Sequence, residues 1–280
     1  MKISTMSLPE DTKQLLEKYG LHANRVLGQN FLINEGAVSS LIAKAQIGSG
    51  DTVVEVGPGL GTITARLADV AKRVIAVEKD PSMVEVLRME LATYKNIEIV
   101  HGDILEFNPE SYKLTAQSYK LVGAPPYYLT ARLFRAFLEG TPAVPSSMAL
   151  IIQKEVAEKV VSAPPRATML SVAVQLYGNP SLAVTVGRGS FLPQPNVDSA
   201  ILLVENIKKP SVDEKILFGV VRAGFSSPRK QLGVNMANAF HIPRSEADAW
   251  LNKNEIDPTR RAQTLSVEEW IGLASSAPSS

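Results

Sequence analysis

The chain of 280 residues has no cysteine. Disulfides, thiolate metal sites and a cysteine nucleophile are thereby excluded. Histidine is scarce: His22, His101 and His241 are scattered, so a histidine-rich metal site is not expected and no metal is assigned. No apolar run approaches the ~20 residues of a membrane span. The first ten residues, MKISTMSLPE, lack the apolar stretch of a secretory signal. The expectation is a cytoplasmic protein without membrane contact, in keeping with a reducing compartment. A strong charge of either sign is also missing. Lys and Arg number 29 against 28 Asp and Glu, a formal net charge of +1. That total is unlike a uniformly basic nucleic-acid binder, but it hides local clusters. KK (Lys208–Lys209), SSPRKQ (Ser226–Gln231) and PTRRAQ (Pro258–Gln263) are either a solvated surface or phosphate contacts.

What remains is ordinary for a globular chain: 45% hydrophobic and 20% charged residues. The length accommodates one large domain and a small one. Residues 1–23 read as a leader followed by a short helix, PEDTKQLLEKYG, capped near Asp11 and ended by Gly20. A helix with Val38, Leu41, Ile42 and Ala45 on its apolar face follows. From Asp51 the pattern alternates. TVVEVG, RVIAVEKD, IEIVHGD and YKLVGAPP read as buried strands, separated by the helical stretches TITARLADVA and PSMVEVLRMELATY. TARLFRAFLEG is helical, and MALIIQKEVAEKVV begins as a strand and becomes a helix. LSVAVQLYG, LAVTVGRGSF and SAILLVEN read as strand-like. Strands alternating with helices predict an α/β, Rossmann-like, doubly wound fold. Beyond Ile207 only short helices are predicted. The domain boundaries are therefore placed at 24–206 for the α/β domain and 207–274 for a small helical domain, with 275–280 as a disordered tail.

The stretch VVEVGPGLGTITARL places Gly57, Gly59 and Gly61 between a strand and a helix. Glycine allows a positive φ and close approach of a ligand to the backbone, and the new helix offers free N–H groups. The next strand ends in Glu78, a position suited to a ribose diol. The diol belongs equally to NAD and to S-adenosylmethionine. The glycines do not follow the G-x-G-x-x-G frame, which weighs against a dinucleotide. Asp103, in HGD at the end of the third strand, is placed to accept a hydrogen bond from an adenine amine. Capping or turn chemistry is the competing role for both carboxylates. The fourth strand breaks at LVGAPPYYLT. Two prolines there lack N–H groups and cannot continue a central strand.

Taken together, GQNFLIN, VVEVGPGLGTIT, VIAVEKD, HGDIL, PPYYLT and SFLPQPNVDSA occur in an order that resembles the ribosomal RNA adenine dimethyltransferases, the small-subunit branch in particular. FLPQPNVDSA and IDPTRRAQTLSVEEW favour that branch over the large-subunit resistance enzymes. The resemblance implies methyl transfer from S-adenosylmethionine to the exocyclic amines of two adjacent adenines in a terminal rRNA hairpin. It implies cofactor contacts from Asn30, Leu32, Gly57, Gly59, Glu78 and Asp103, and from the position of Ala124. It makes Ala124, Pro125, Pro126 and Tyr127 the target-base loop. Tyr127 and Phe191 are expected to stack on the base, and Arg229, Lys230, Arg260 and Arg261 to track phosphates. The expected partner is small-subunit rRNA or a pre-ribosomal particle, and the expected state a monomer. Three departures stand out. Ala124 occupies the place of a family Asn whose side-chain carbonyl accepts from the target amine. Asn196 stands where a Lys is common, and Pro228 interrupts a basic run. Loss of the acceptor predicts slow or absent methylation, unless a neighbour supplies one. A non-catalytic assembly factor and a large-subunit resistance enzyme are the alternatives, with a nicotinamide-dependent reductase as a remote third.

Overall fold

A computed structural model describes residues 7–24 and 27–278. Of the leader and the tail, residues 1–6 and 279–280 lie outside the described residues. The chain divides into two compact units. One holds the residues up to Ala157 together with Asn179–Lys208, and the other holds Glu158–Gly178 together with the residues from Lys209 onward. The boundary near 206 is therefore incomplete: residues 158–178 group with the second unit, and the first helix with the first.

The first unit is built on a seven-stranded sheet. A two-residue strand, β1 (Phe31–Leu32), comes before it in the chain; the sheet strands are then β2 (Thr52–Val56), β3 (Arg73–Glu78), β4 (Ile97–His101), β5 (Lys120–Gly123), β6 (Ser147–Gln153), β7 (Asn179–Val186) and, after another two-residue strand β8 (Phe191–Leu192), β9 (Ser199–Glu205). The order across the sheet is β4-β3-β2-β5-β6-β9-β7. Five strands, from β4 to β6, run parallel, and β9 is antiparallel to both its neighbours. Their central residues, among them Val53, Val54, Ile75, Leu121, Leu150 and Ile152, are fully buried, as expected of a sheet covered on both faces. Strand order reverses direction at β2, so the crevice at the carboxyl ends of β2, β3 and β5 is the topological switch point.

The helices of this unit are α1 (Leu8–Lys18), α2 (Glu35–Lys44), α3 (Thr62–Ala68), α4 (Pro81–Glu90) and α5 (Thr130–Phe134), and α6 (Lys154–Val160) begins in it. α1 starts one turn earlier than expected. Ser7, not Asp11, closes it, with its N–H and Oγ both donating to the Glu10 carboxylate at 3.0 and 2.7 Å. Val38 and Leu41 of α2 are fully buried, as the apolar spacing requires.

The second unit is helical: α7 (Met169–Gln175), α8 (Glu214–Phe225), α9 (Leu232–Phe240), α10 (Arg244–Lys253) and α11 (Val267–Ser275). α7 corrects the strand-like reading of LSVAVQLYG. A short apolar run carries no period that separates helix from strand. Thr168 decides it: its Oγ1 accepts from the Ser171 N–H at 3.0 Å, and the Ser171 Oγ accepts from the Thr168 N–H at 2.7 Å. The tail expectation is corrected in part, because Ser275 is helical and the Ser276 Oγ accepts from Trp250 at 3.1 Å. No helix among the described residues is long and apolar enough to cross a membrane.

Candidate active site

At the switch point the loops after β2, β3, β4 and β5 close around a cavity. Its walls include Asn30, Gly57, Gly59, Glu78, Asp103 and the whole run Ala124–Leu129. Segments separated along the chain converge here because parallel strands end on the same side of the sheet.

The glycine loop leaves β2 with Gly57 at φ 61°, and a Cβ built there meets nothing within 4 Å. Both facts make glycine the fitting residue: the backbone is left-handed, and the space beside it stays open to a ligand. The Glu78 carboxylate fastens this loop. One oxygen accepts from the Gly59 N–H at 3.0 Å and the other from the Asp80 N–H at 2.8 Å. Burial raises the Glu78 pKa, and these amides offset part of the rise. Each oxygen keeps a lone pair for a hydroxyl. Asp103 caps the turn that follows β4, accepting from the Leu105 N–H at 2.9 Å, and its second oxygen pairs with the Lys79 ammonium at 2.9 Å. Burial alone would raise the Asp103 pKa; the amide and Lys79 outweigh it and hold the carboxyl below its ordinary value. Both carboxylates thus do the turn chemistry that competed with ligand binding, and both still line the cavity.

A further acidic residue went unnoticed in the sequence. Glu55 sits in β2 beneath the glycine loop, wholly buried. The Thr64 hydroxyl lies close enough to ease the carboxyl, but the two form no hydrogen bond of good geometry, and neither finds another partner among the described residues. Burial, offset in part by the Thr64 hydroxyl and aided by a smaller push from the Glu78 charge, raises its pKa to about 8. At neutral pH Glu55 is therefore a neutral acid. The signal was present in TVVEV, a charge in the middle of a buried strand.

On the opposite side, β5 ends at Gly123, φ 155°, where a Cβ would lie 2.6 Å from the Val56 carbonyl oxygen. Only glycine lets the loop start this close to β2. Ala124, Pro125 and Pro126 then line the cavity. The Pro126 carbonyl accepts from the Leu129 N–H at 2.9 Å, whereas those of Ala124 and Pro125 accept from no described residue. The Tyr127 hydroxyl and the Ser199 Oγ share a hydrogen bond of 2.7 Å, which fixes the ring from the start of β9. Ser199 was another residue that the sequence did not single out.

The motifs around Asn30 and Phe191 meet directly. β1 and β8 pair antiparallel, with Leu32 opposite Phe191. The Ile33 N–H donates to the Ser190 carbonyl at 2.8 Å, and the Asn34 Nδ2 to the Ser190 Oγ at 3.1 Å. Phe31 and Phe191 line the cavity; Leu32 does not, being turned into the core. Successive residues of a strand point to opposite faces, so only one of Phe31 and Leu32 can face the ligand. Phe191 is also a core residue, 4% exposed.

The basic residues belong to the second unit. The SSPRKQ and PTRRAQ clusters come together because the Leu232 N–H donates to the Arg260 carbonyl at 2.7 Å and the Gly233 N–H to the Pro258 carbonyl at 3.0 Å. Arg229, Lys230 and Arg261 are exposed, and none has a side-chain partner among the described residues. Arg260 is committed elsewhere. Its guanidinium pairs with both oxygens of the Glu269 carboxylate and donates to the Thr264 carbonyl at 2.5 Å. A planar fork matched to a carboxylate explains why it braces α11.

The residues fit an adenosyl cofactor: an open glycine backbone, a buried carboxylate with spare lone pairs, and an acid beside the apolar Ile104. A mostly parallel sheet with this site at its switch point defines the chain as a Rossmann-like methyltransferase dependent on S-adenosylmethionine. Comparison with known proteins narrows the class. Residues 20–277 match the ribosomal RNA adenine dimethylase family, and the chain belongs to that family. It is 41% identical to a ribosomal RNA small subunit methyltransferase A of Dehalococcoides mccartyi, over 96% of this chain and 94% of that one. It is 36% identical to the protein of the same name from Clostridium botulinum, over 94% and 97%. Among solved structures, the 23S rRNA methyltransferase ErmE superposes with a TM-score of 0.70 at 26% identity, covering 88% of this chain and 99% of that one. A dimethyladenosine transferase from Plasmodium falciparum has the same fold, with a TM-score of 0.72 at 23% identity, covering 86% and 94%.

Proposed function

We propose that this chain dimethylates the exocyclic amines of two adjacent adenines in the 3'-terminal hairpin of small-subunit rRNA during ribosome biogenesis, and that Ala124 slows the transfer. The observation that carries the reading is a single cavity lined by both the Glu78 and Asp103 carboxylates and the Ala124–Tyr127 loop. The small-subunit names of the relatives at 41% and 36% identity support this branch over a large-subunit resistance enzyme.

Glu78 would hold the ribose hydroxyls, Asp103 the adenine amine, and Asn30, Gly57 and Gly59 the rest of the cofactor. When bound, S-adenosylmethionine supplies a methyl group carried on a positively charged sulfur. The amine of the target adenine is a poor nucleophile, because its lone pair is delocalised into the ring. The loop acts on that lone pair. Carbonyl oxygens accept both amine hydrogens, turn the nitrogen toward sp³ and aim the lone pair out of the ring plane. A backbone carbonyl of the Ala124–Pro125 turn, which accepts from no described residue, takes one amine hydrogen, and the Tyr127 ring, held by Ser199, stacks on the extruded base. The side-chain acceptor of the family is missing at Ala124. Arg229, Lys230 and Arg261 meet phosphates, and Arg260 contributes as a brace. The protein acts as a monomer in the cytoplasm, on rRNA or a pre-ribosomal particle.

Ala124 also favours a second reading, an assembly factor that binds RNA and cofactor without transfer. Mass spectrometry of rRNA from small-subunit precursors, incubated with the protein and labelled cofactor, decides between them. Labelled dimethyladenine at a rate below that of Ala124→Asn supports the proposal. Particle binding without label supports the assembly factor.

A further inference from the structure

Beside the cavity lies a second cleft, open to solvent. The two share Gly28, Gln29, Asn30 and Tyr127 in their walls. The rest of the second cleft comes from Gln153 at the end of β6 and from the segment Pro193–Val197. No lining residue carries a charge. The lining therefore lacks the cationic groups that draw in a phosphate backbone by charge.

What the cleft offers is carboxamides and flat apolar faces. The side chains of Gln153, Gln194 and Asn196 form no hydrogen bond with any described residue. The other amides are committed. The Gln29 Nε2 donates to Asp80 at 2.8 Å and its Oε1 accepts from the Asn24 N–H at 2.9 Å; the Asn30 Nδ2 donates to the Gly28 carbonyl at 3.1 Å. A free carboxamide carries a donor and an acceptor side by side, the pattern that matches the edge of a base. Pro193, Pro195 and Tyr127 add rings against which a base can lie. The placement is firm. Gln153 is the register partner of Ser199 across β6 and β9, and Ser199 holds the Tyr127 hydroxyl. The target-loop ring and the Gln153 amide therefore hang on the same strand pair.

We propose that this cleft is a subsite for the nucleobase next to the target adenine, read by the carboxamides of Gln153, Gln194 and Asn196. The proposal rests on the reading that a target adenine enters the first cavity. It assigns a role to Asn196: a neutral carboxamide there offers a base edge a donor and an acceptor side by side, where a Lys would offer only donors.

The test uses the full chain with S-adenosylhomocysteine bound and a hairpin RNA bearing two adjacent adenines. 2-Aminopurine replaces one adenine or the other. Fluorescence of both probes is expected to rise on binding, as both bases leave the stack. In Gln153→Ala combined with Asn196→Ala, one position loses its response and RNA affinity falls roughly tenfold, the worth of one good amide–base contact. Gln194→Ala with Asn196→Ala, both exposed positions, gives the same selective loss without touching the sheet. Unchanged calorimetric affinity for S-adenosylhomocysteine verifies folding in each variant. Responses at both positions that survive these substitutions overturn the subsite, as does a single responding position in the unaltered chain; either leaves the target reading intact. No RNA binding and no response at either position overturns both.

Discussion

On the cofactor side of the cavity, side chains and backbone hold each other. Glu78 ties Gly59 to Asp80, Asp103 ties Lys79 to Leu105, and every one of these contacts lies between 2.8 and 3.0 Å. On the side of the Ala124–Tyr127 loop, Ala124 contributes no side-chain polar group, and the Ala124 and Pro125 carbonyls accept from no described residue. One side is assembled before any ligand arrives, whereas the other waits for the substrate to supply hydrogens. Under the proposed function, affinity for cofactor and rate of transfer would be set by different residues. A substitution can lower one and leave the other.

The largest effect is expected from restoring the acceptor. Ala124→Asn should raise the single-turnover methylation rate by about 10²–10³-fold with little change in cofactor affinity. Ordinary turnover by the unaltered chain, with no gain in the variant, would break the comparison. Next comes Glu78→Ala on the other side. Removing the carboxylate that holds the loop, and to which the proposal gives the ribose, should weaken cofactor binding by about 10–100-fold in a calorimetric titration. A fall in rate with unchanged binding would contradict the division of labour.

Glu55 sharpens the comparison from beneath. Its folded pKa, about 8, is raised above the unfolded value. Between roughly pH 5 and 8 the unfolded chain gives up a proton that the folded chain keeps. Folding stability should therefore drop as pH rises through that window, by about 1 kcal/mol per pH unit from this group. Glu55→Gln keeps the shape, removes the titration and should flatten the profile measured by urea unfolding at several pH values. An identical profile in the variant would show that Glu55 ionises freely. The smallest effect belongs to the exposed cations. Replacing Lys230 and Arg261 with Ala should weaken RNA binding several-fold and reduce the salt slope by about one for each phosphate that no longer meets a cation. Arg260→Ala should instead lower the melting temperature, since its fork is occupied by Glu269.

Much of this was legible in one dimension because the physics is local. Three glycines between a β-branched strand and a helix announce a ligand loop, since few other residues tolerate those backbone angles. Charges at the ends of buried runs, Glu78 and Asp103, read as site residues because a carboxylate there needs partners. Local pattern misled where it lacked a period. LSVAVQLYG reads as a strand, and the Thr168–Ser171 exchange of hydrogen bonds makes it a helix. Arg260 and Arg261 look alike in PTRRAQ; only the fold brings Glu269 to one of them.

The sequence alone determined the alternation of elements, the glycine loop, the two carboxylates, and the alanine in the proline loop after the fourth strand. Each is a property of a residue and its near neighbours. The tertiary structure decided which of Phe31 and Leu32 faces the cavity, that Ser199 anchors Tyr127, that Glu55 is buried without a partner, and that Gln153 and Asn196 line one cleft. Those facts depend on strand register and on contacts between segments far apart in the chain, which no local pattern encodes.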